Sequence, residues 1–425
     1  MNAIPSAWTM ASATRVRQAA ILVGGKGTRL GEATRATPKP LMAIDDSRAF
    51  LDLLIENVAR QGFDDILLLA GHFGDQIAAR HDEREIAGAR VRVLIEDEPR
   101  GTGGALLEAA DHLDRRFLLL NGDSYFDVNL RALAHEAETT DLPALIALRE
   151  VADASRYGLV TLENGAVTRF AEKSAGAGVS GLINAGVYVL TRAILQRIDH
   201  LPCSIEGDVF PALAAERRLG GRPMDGYFLD IGIPEALARG RAELPIVDRR
   251  PAAFLDRDGV INHDAGHTHR VEDLRFIQGA PAAIRRLNDA GYRVIVVTNQ
   301  AGVAKGLYDE PAVHLFHAHM REKLAAQGAF VDRFYHCPYH PEGVVPAYRM
   351  AHPDRKPAPG MLLRAIADQS IDVGRSFLIG DQQSDLDAAA GAGVIGLLFE
   401  GGDLDAFVER VVDSMPRRLV PGETR

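Results

Sequence analysis

Residues 251–262 read PAAFLDRDGVIN. A short apolar run, Ala252–Leu255, meets two aspartates spaced Asp-x-Asp, Asp256 and Asp258, and then Gly259. A continuous apolar run that ends abruptly in a polar turn is the pattern of a strand buried on both faces. In open parallel sheets ligands sit outside the carboxyl ends of the strands, so both aspartates stand where chemistry is expected. A second opening of this kind is AAILVGG at 19–25. Further runs stand at 64–71 (DDILLLAG), 90–97 (RVRVLIED), 116–123 (RFLLLNGD), 292–299 (YRVIVVTN) and 376–381 (SFLIGD). Each ends in Asp, Asn or Gly, and helical patterns alternate with them. The expected fold is α/β, in two domains, each a mostly parallel sheet with helices on both faces. The expected boundaries are a loose lead-in over 1–18, a first domain over 19–245, a linker over 246–251 in the Pro- and Arg-containing LPIVDRRPA, a second domain over 252–417, and a tail over 418–425.

At 425 residues the chain is too long for one ordinary domain. Its net charge of −10 argues against nucleic acid or an anionic membrane surface as a partner. A phosphate-bearing small molecule would need a local basic pocket. Two cysteines, Cys203 and Cys337, point to no disulfide framework and a reducing compartment. No apolar run approaches the ~20 residues of a membrane helix, and the first 18 residues lack the apolar core of a signal peptide. The expected location is the cytoplasm; oligomeric state leaves no trace in the sequence.

The turn after the first apolar run belongs to GGKGTRLGEATRATPKPL, 24–41. Arg29 stands where a P-loop needs lysine, and Leu30 where a dinucleotide fingerprint needs its third glycine. What remains is a tight turn through Gly24, Gly25, Gly27 and Thr28, with Lys26, Arg29 and Lys39 nearby. Exposed backbone amides beside three cations suit a triphosphate. In order there follow EPRGTGGAL (98–106), LNGDSYFD (120–127), SRYGLV (155–160), EK (172–173), GLINAGVY (181–188) and GYFLDIGIPE (226–235). With these pieces, residues 19–245 resemble the sugar-1-phosphate nucleotidyltransferases, a Rossmann-like family, and within it the D-glycero-D-manno-heptose 1-phosphate guanylyltransferases. The resemblance implies in-line attack of a sugar phosphate on the α-phosphorus of GTP. It implies Mg2+ on Asp123 and Asp230, Arg29 on the triphosphate and Lys39 on the attacking phosphate. Gly24, Gly103 and Gly104 would admit base and ribose. Glu172, Lys173 and Asn184 would contact the sugar phosphate, Gly158 would belong to the nucleotide- and sugar-phosphate-binding set, and Glu206 would meet the sugar hydroxyls.

The second half resembles the haloacid dehalogenase superfamily. Its opening motif is followed by Thr298 and Asn299 in VVTNQ, Arg355 and Lys356 in RKP, and Asp381 and Asp385 in IGDQQSD. The resemblance implies Asp256 as a nucleophile forming an aspartyl phosphate and Asp258 as general acid and base. It implies Mg2+ on Asp256, Asp381 and the backbone of Asp258, with Thr298, Asn299 and Lys356 on the phosphoryl oxygens. DRDGVIN, TNQAGVAKG and RKPAPGML look most like the D,D-heptose 1,7-bisphosphate phosphatases and the related histidinol phosphatases. Arg355 would then read the substrate's second phosphate, with a preference for the α-anomer. Such relatives often carry a zinc loop, Cys-x-His then Cys-x-Cys. Here Cys337 is kept, while Tyr339, His352 and Asp354 fill the other places. Cys337, His340, His352 and Asp354 form a conceivable zinc set, but the loop is expected to hold no metal. Together the halves imply consecutive steps: loss of the 7-phosphate from heptose 1,7-bisphosphate, then GMP transfer to heptose 1-phosphate. The alternatives are mannose 1-phosphate or another hexose 1-phosphate, UTP in place of GTP, and a histidinol or other sugar phosphatase.

Overall fold

The computed structural model describes residues 15–25, 30–31, 34–154, 157–170 and 179–416. It divides into two compact units, Met1–Pro245 and Ile246–Arg425. The helix Pro234–Asp248 runs through the point of division, so residues 246–248, expected in a linker, form its last turn. Val16, expected in the lead-in, is fully buried, and its amide donates to Glu138 at 2.7 Å. Among the described residues no helix is long and apolar enough to cross a membrane.

The strands of the first unit are β1 Gln18–Leu22, β2 Asp65–Ala70, β3 Arg84–Ile86, β4 Ala89–Ile95, β5 Arg116–Asn121, β6 Ser124–Phe126, β7 Ala144–Val151, β8 Val160–Glu163, β9 Ala166–Phe170, β10 Gly181–Thr191, β11 Leu219–Pro223 and β12 Phe228–Asp230. Among the described residues, ten form one sheet in the order β3-β4-β2-β1-β5-β10-β7-β11-β9-β8. Its β4-β2-β1-β5 segment is parallel. β1, β2 and β5 are apolar runs buried on both faces, while β4 alternates buried Ala89 and Val91 with the more exposed Arg90 and Arg92. Beyond β5 the strands turn antiparallel, β10 pairing β5 on one side and β7 on the other. Among the described residues there, β11 with β7 restores a parallel pair. A separate antiparallel ribbon joins β6 to β12.

In the second unit β13 Ala252–Leu255, β14 Arg293–Asn299, β15 Arg333–Cys337, β16 Phe377–Gly380 and β17 Ile395–Leu398 form a sheet ordered β15-β14-β13-β16-β17. Every pairing in it is parallel. Side chains of a strand alternate between faces, and β13 shows it. Ala253 and Leu255 join the core beneath the helices Ala280–Asp289, Glu310–Ala325 and Leu404–Ser414. Ala252 and Phe254 join the opposite core, beneath Gly360–Asp368 and Gln383–Gly391. The chain leaves β13 for β14 on one side and later reaches β16 on the other, so the end of β13 opens at a topological switch point.

Candidate active sites

The first site lies at the carboxyl ends of the parallel strands, in a cleft of about 860 Å³. Gly122 follows β5, and its amide donates to the Leu22 carbonyl at 2.9 Å. A Cβ at position 122 would stand 2.5 Å from that oxygen, so only glycine lets the ends of β1 and β5 close up. Asp123 comes next. The β6–β12 ribbon pairs Ser124 with Asp230, and the Ile231 amide donates to the Asp123 carbonyl, which brings the two acids together. Lys39, buried in a single 3-10 turn between Pro38 and Pro40, places its Nζ 2.6 Å from Asp123 and 3.7 Å from Asp230. Two carboxylates facing one cleft fit a hard divalent cation that takes its remaining oxygens from phosphates.

Across the cleft, β10 carries a bulge between Asn184 and Tyr188, with Gly186 at φ +72° inside it. Asn184 and Asn121 each donate to Glu206 Oε1, at 3.3 and 3.0 Å, and the Tyr188 hydroxyl donates to the same atom. Burial and the Glu206 charge push the Tyr188 hydroxyl far above its ordinary pKa, so it remains a donor. Gly24, Gly25, Gly158, Asn184 and Glu206 all line this cleft. Gly103 and Gly104 do not face it as expected. A Cβ at 103 would meet Cys203 Sγ at 3.0 Å, and one at 104 would meet the Arg100 Cβ at 2.3 Å. They are small to pack the helix Gly101–Glu108 against its surroundings, and Gly101 and Thr102 line the cleft instead. Lys26, Gly27, Thr28, Arg29, Glu172 and Lys173 lie outside the described residues.

Among the cleft residues that were not foreseen, one is a carboxylate. Glu96 follows β4, beside Gly71 after β2 and Gly24 after β1. A Cβ at Gly71 would lie 2.2 Å from Glu96 Oε1, and one at Gly24 3.0 Å from it. The second oxygen, Oε2, is buried without a hydrogen-bond partner. Burial pushes the carboxyl above its ordinary pKa. An acid at a strand end reads in sequence as a solvated charge; only the two facing glycines betray its placement.

The second site stands at the end of β13. Asp256 lies 2.9 Å from Lys356 Nζ, and Asp385 lies 2.6 Å from it. Lys356 also donates to the Val297 carbonyl, at 2.9 Å. Burial drives the Asp256 carboxyl upward against the pull of Lys356, and Asp385 and Asp258 add to the rise. Burial alone would lower the Lys356 amine, but Asp256 and Asp385 outweigh it and raise it. Asp381, after β16, reaches in because Gly259 holds φ +86°; a Cβ there would fall 2.2 Å from Asp381 Oδ2. Asp256, Asp381 and Asp385 offer three oxygens within 4.8 Å of one another, an all-carboxylate set that fits Mg2+.

Asp258 is held by groups that the motif reading left without roles. Arg257, fully buried, donates to both its oxygens, Asn262 to Oδ1 at 2.9 Å and Gln300 to Oδ2 at 3.0 Å. Gln300 also donates to Thr298 and accepts from the Tyr308 hydroxyl. The Asn299 side chain, expected on the phosphoryl group, instead donates to the Lys356 carbonyl and accepts from the Lys356 amide, fixing the lysine's backbone. Arg355 is half-buried and donates to the Tyr339 carbonyl at 3.3 Å. In the loop after β15, Asp354 pairs with Arg364 at 2.8 Å, His352 stacks on Tyr339, and His340 accepts from the Glu342 amide.

A family profile described as nucleotidyl transferase matches residues 18–245, more than half of the chain. The chain belongs to the nucleotidyl transferase family. Its C-terminal unit matches a HAD-hydrolase-like profile over residues 354–413. This unit belongs to the same family as a D-glycero-β-D-manno-heptose-1,7-bisphosphate 7-phosphatase of Rhodopseudomonas palustris, 49% identical over 172 residues that cover 40% of this chain and 96% of that protein. A D-glycero-D-manno-heptose-1,7-bisphosphate 7-phosphatase of Thermosynechococcus vestitus is 45% identical over 164 residues, 38% of this chain and 84% of that protein. Among solved structures, HddC from Yersinia pseudotuberculosis is 30% identical, covering 53% of this chain and 99% of its own, with a TM-score of 0.48. The chain is thus an enzyme with a nucleotidyltransferase domain and a HAD-like phosphatase domain.

Proposed function

We propose that the phosphatase domain removes the 7-phosphate of D-glycero-D-manno-heptose 1,7-bisphosphate, and that the nucleotidyltransferase domain transfers GMP from GTP to the resulting heptose 1-phosphate. In the first reaction an Asp256 oxygen attacks the 7-phosphorus while the bond to the sugar oxygen breaks. Asp258, oriented by Arg257, Asn262 and Gln300, gives that oxygen its proton and then takes one from the water that hydrolyses the aspartyl phosphate. Lys356, 2.9 Å from Asp256, favours its ionised form against the burial that opposes it, and faces the phosphoryl charge. Mg2+ on Asp256, Asp381 and Asp385 would neutralise that charge so that a carboxylate can approach it. In the second reaction an oxygen of the sugar 1-phosphate attacks the α-phosphorus of GTP, and pyrophosphate leaves. Lys39 offers its ammonium to the incoming phosphate, and Mg2+ on Asp123 and Asp230 would neutralise the triphosphate.

The choice of GTP rests on Glu96. A carboxylate is two adjacent acceptors, and guanine presents two adjacent donors, N1–H and the 2-amino group. Uracil sets a carbonyl oxygen beside its one N–H; adenine and cytosine set a ring nitrogen acceptor beside their amino groups. The buried, unpartnered Oε2 therefore finds its second donor in guanine. A site built on buried hydrogen bonds rejects ligands that leave them unmade. The test is pyrophosphate release with heptose 1-phosphate and each nucleoside triphosphate, in the parent and in Glu96→Gln. Gln has one acceptor and one donor, the complement of uracil. The preference of GTP over UTP should fall by about 10- to 100-fold in the variant. A GTP preference that survives the substitution intact overturns the assignment.

A further inference from the structure

Three side chains outside both sites gather between a helix and the edge strand of the second sheet. Glu310 and His314 stand one turn apart on Glu310–Ala325, hence on one face of that helix. His336 reaches them from β15. His336 Nε2 is 3.0 Å from Glu310 Oε1, and the rings of His314 and His336 meet edge-on with centroids 5.2 Å apart. One ligand atom from each residue lies within 4.8 Å of the other two. The second oxygen of Glu310 accepts from the Tyr348 hydroxyl at 2.8 Å, which fixes the carboxylate's orientation as outer partners of metal ligands do. His314 is exposed and the other two are half-buried, so an ion has a path in.

We propose that Glu310, His314 and His336 bind a divalent transition metal, zinc foremost, with water completing the coordination. Two imidazoles and a carboxylate are the donors that zinc accepts and that Mg2+ passes over. The ion ties the helix Glu310–Ala325 to β15. The tie bears on catalysis at one remove: His317, on the next turn, has Nε2 3.3 Å from Arg257, which grips Asp258. A plain Glu310–His336 pair would account for the 3.0 Å contact, but it gives His314 no part to play.

The experiment uses the full chain, stripped with a chelator and returned to an excess of Mg2+ to fill the carboxylate sites. Zinc is titrated by calorimetry and cobalt by visible absorption. The expected result is about one zinc per chain with a dissociation constant of about 1 µM or below. His314→Ala, an exposed position, should weaken it by about a hundredfold or more, while Cys337→Ser leaves it unchanged. The cobalt complex should show no thiolate charge-transfer band, which sets the site apart from both cysteines. Zinc binding that His314→Ala leaves intact, that Cys337→Ser abolishes, or that is absent at micromolar zinc overturns the proposal.

Discussion

Asp256 is enclosed by Lys356 and two further carboxylates, while Asp123 shares Lys39 with Asp230 in a cleft of the other unit. Asp256→Asn should cut phosphate release by about a thousandfold or more, since an amide is no nucleophile, and leave pyrophosphate release near the parent rate. Asp123→Asn should do the reverse. Either substitution silencing both activities in a folded protein would contradict two independent sites. Glu96 adds a pH dependence whose sign follows from its burial. Its carboxyl sits above the ordinary range in the free protein, and guanine's donors favour the ionised form. GTP preference over UTP should therefore rise with pH through that raised pKa and level off above it. Comparing the two nucleotides cancels the titration of their shared phosphates. Measured as a ratio of kcat/KM, the slope should vanish in Glu96→Gln.

At the scale of elements, Gly259 is the joint on which the phosphatase site turns. Its left-handed φ and the 2.2 Å approach of Asp381 leave no room for a methyl group. Gly259→Ala should lower phosphate release at least about tenfold and raise the Mg2+ concentration for half-maximal rate, because Asp381 is displaced. Far-UV circular dichroism and pyrophosphate release should not change. A variant with parent Mg2+ dependence would remove Asp381 from the metal set. The central parallel strands β1, β2, β5, β13, β14 and β16 were legible because burial on both faces leaves an uninterrupted apolar run. A site residue at or just past the end of such a run is legible with it: Asp123, Asp256, Asp381. β15 and β17, part-exposed at the sheet edges, left no such run. The antiparallel part was not legible either. The ribbon of β6 and β12 is three residues on each side, too short for any period, yet it is what sets Asp230 beside Asp123. The β10 bulge that turns Asn184 into the cleft leaves no local pattern either. Arg257, Asn262 and Gln300 were visible inside their motifs, but their shared hold on Asp258 depends on distances between segments that no motif spells out.

For the molecule as a whole, two units with separate cores would, in the proposed function, carry reactions in which the product of one is the substrate of the other. In that sequence the anomeric phosphate would pass through the first reaction untouched, so both units would have to take the same anomer. The expected anomer is α, from the guanylyltransferase resemblance, although the Rhodopseudomonas relative's name specifies β. Values of kcat/KM for the α- and β-bisphosphates, and for the two 1-phosphates with GTP, decide the matter. Opposite preferences in the two half-reactions would show that the chain does not run them in series. The acid at the end of β4 has a further consequence, on an evolutionary scale. Codons for glutamate and glutamine differ in a single nucleotide. If one carboxylate selects the base, descendants of this fold stand one point mutation from drawing on a different cellular nucleotide pool, with the rest of the cleft inherited as it is.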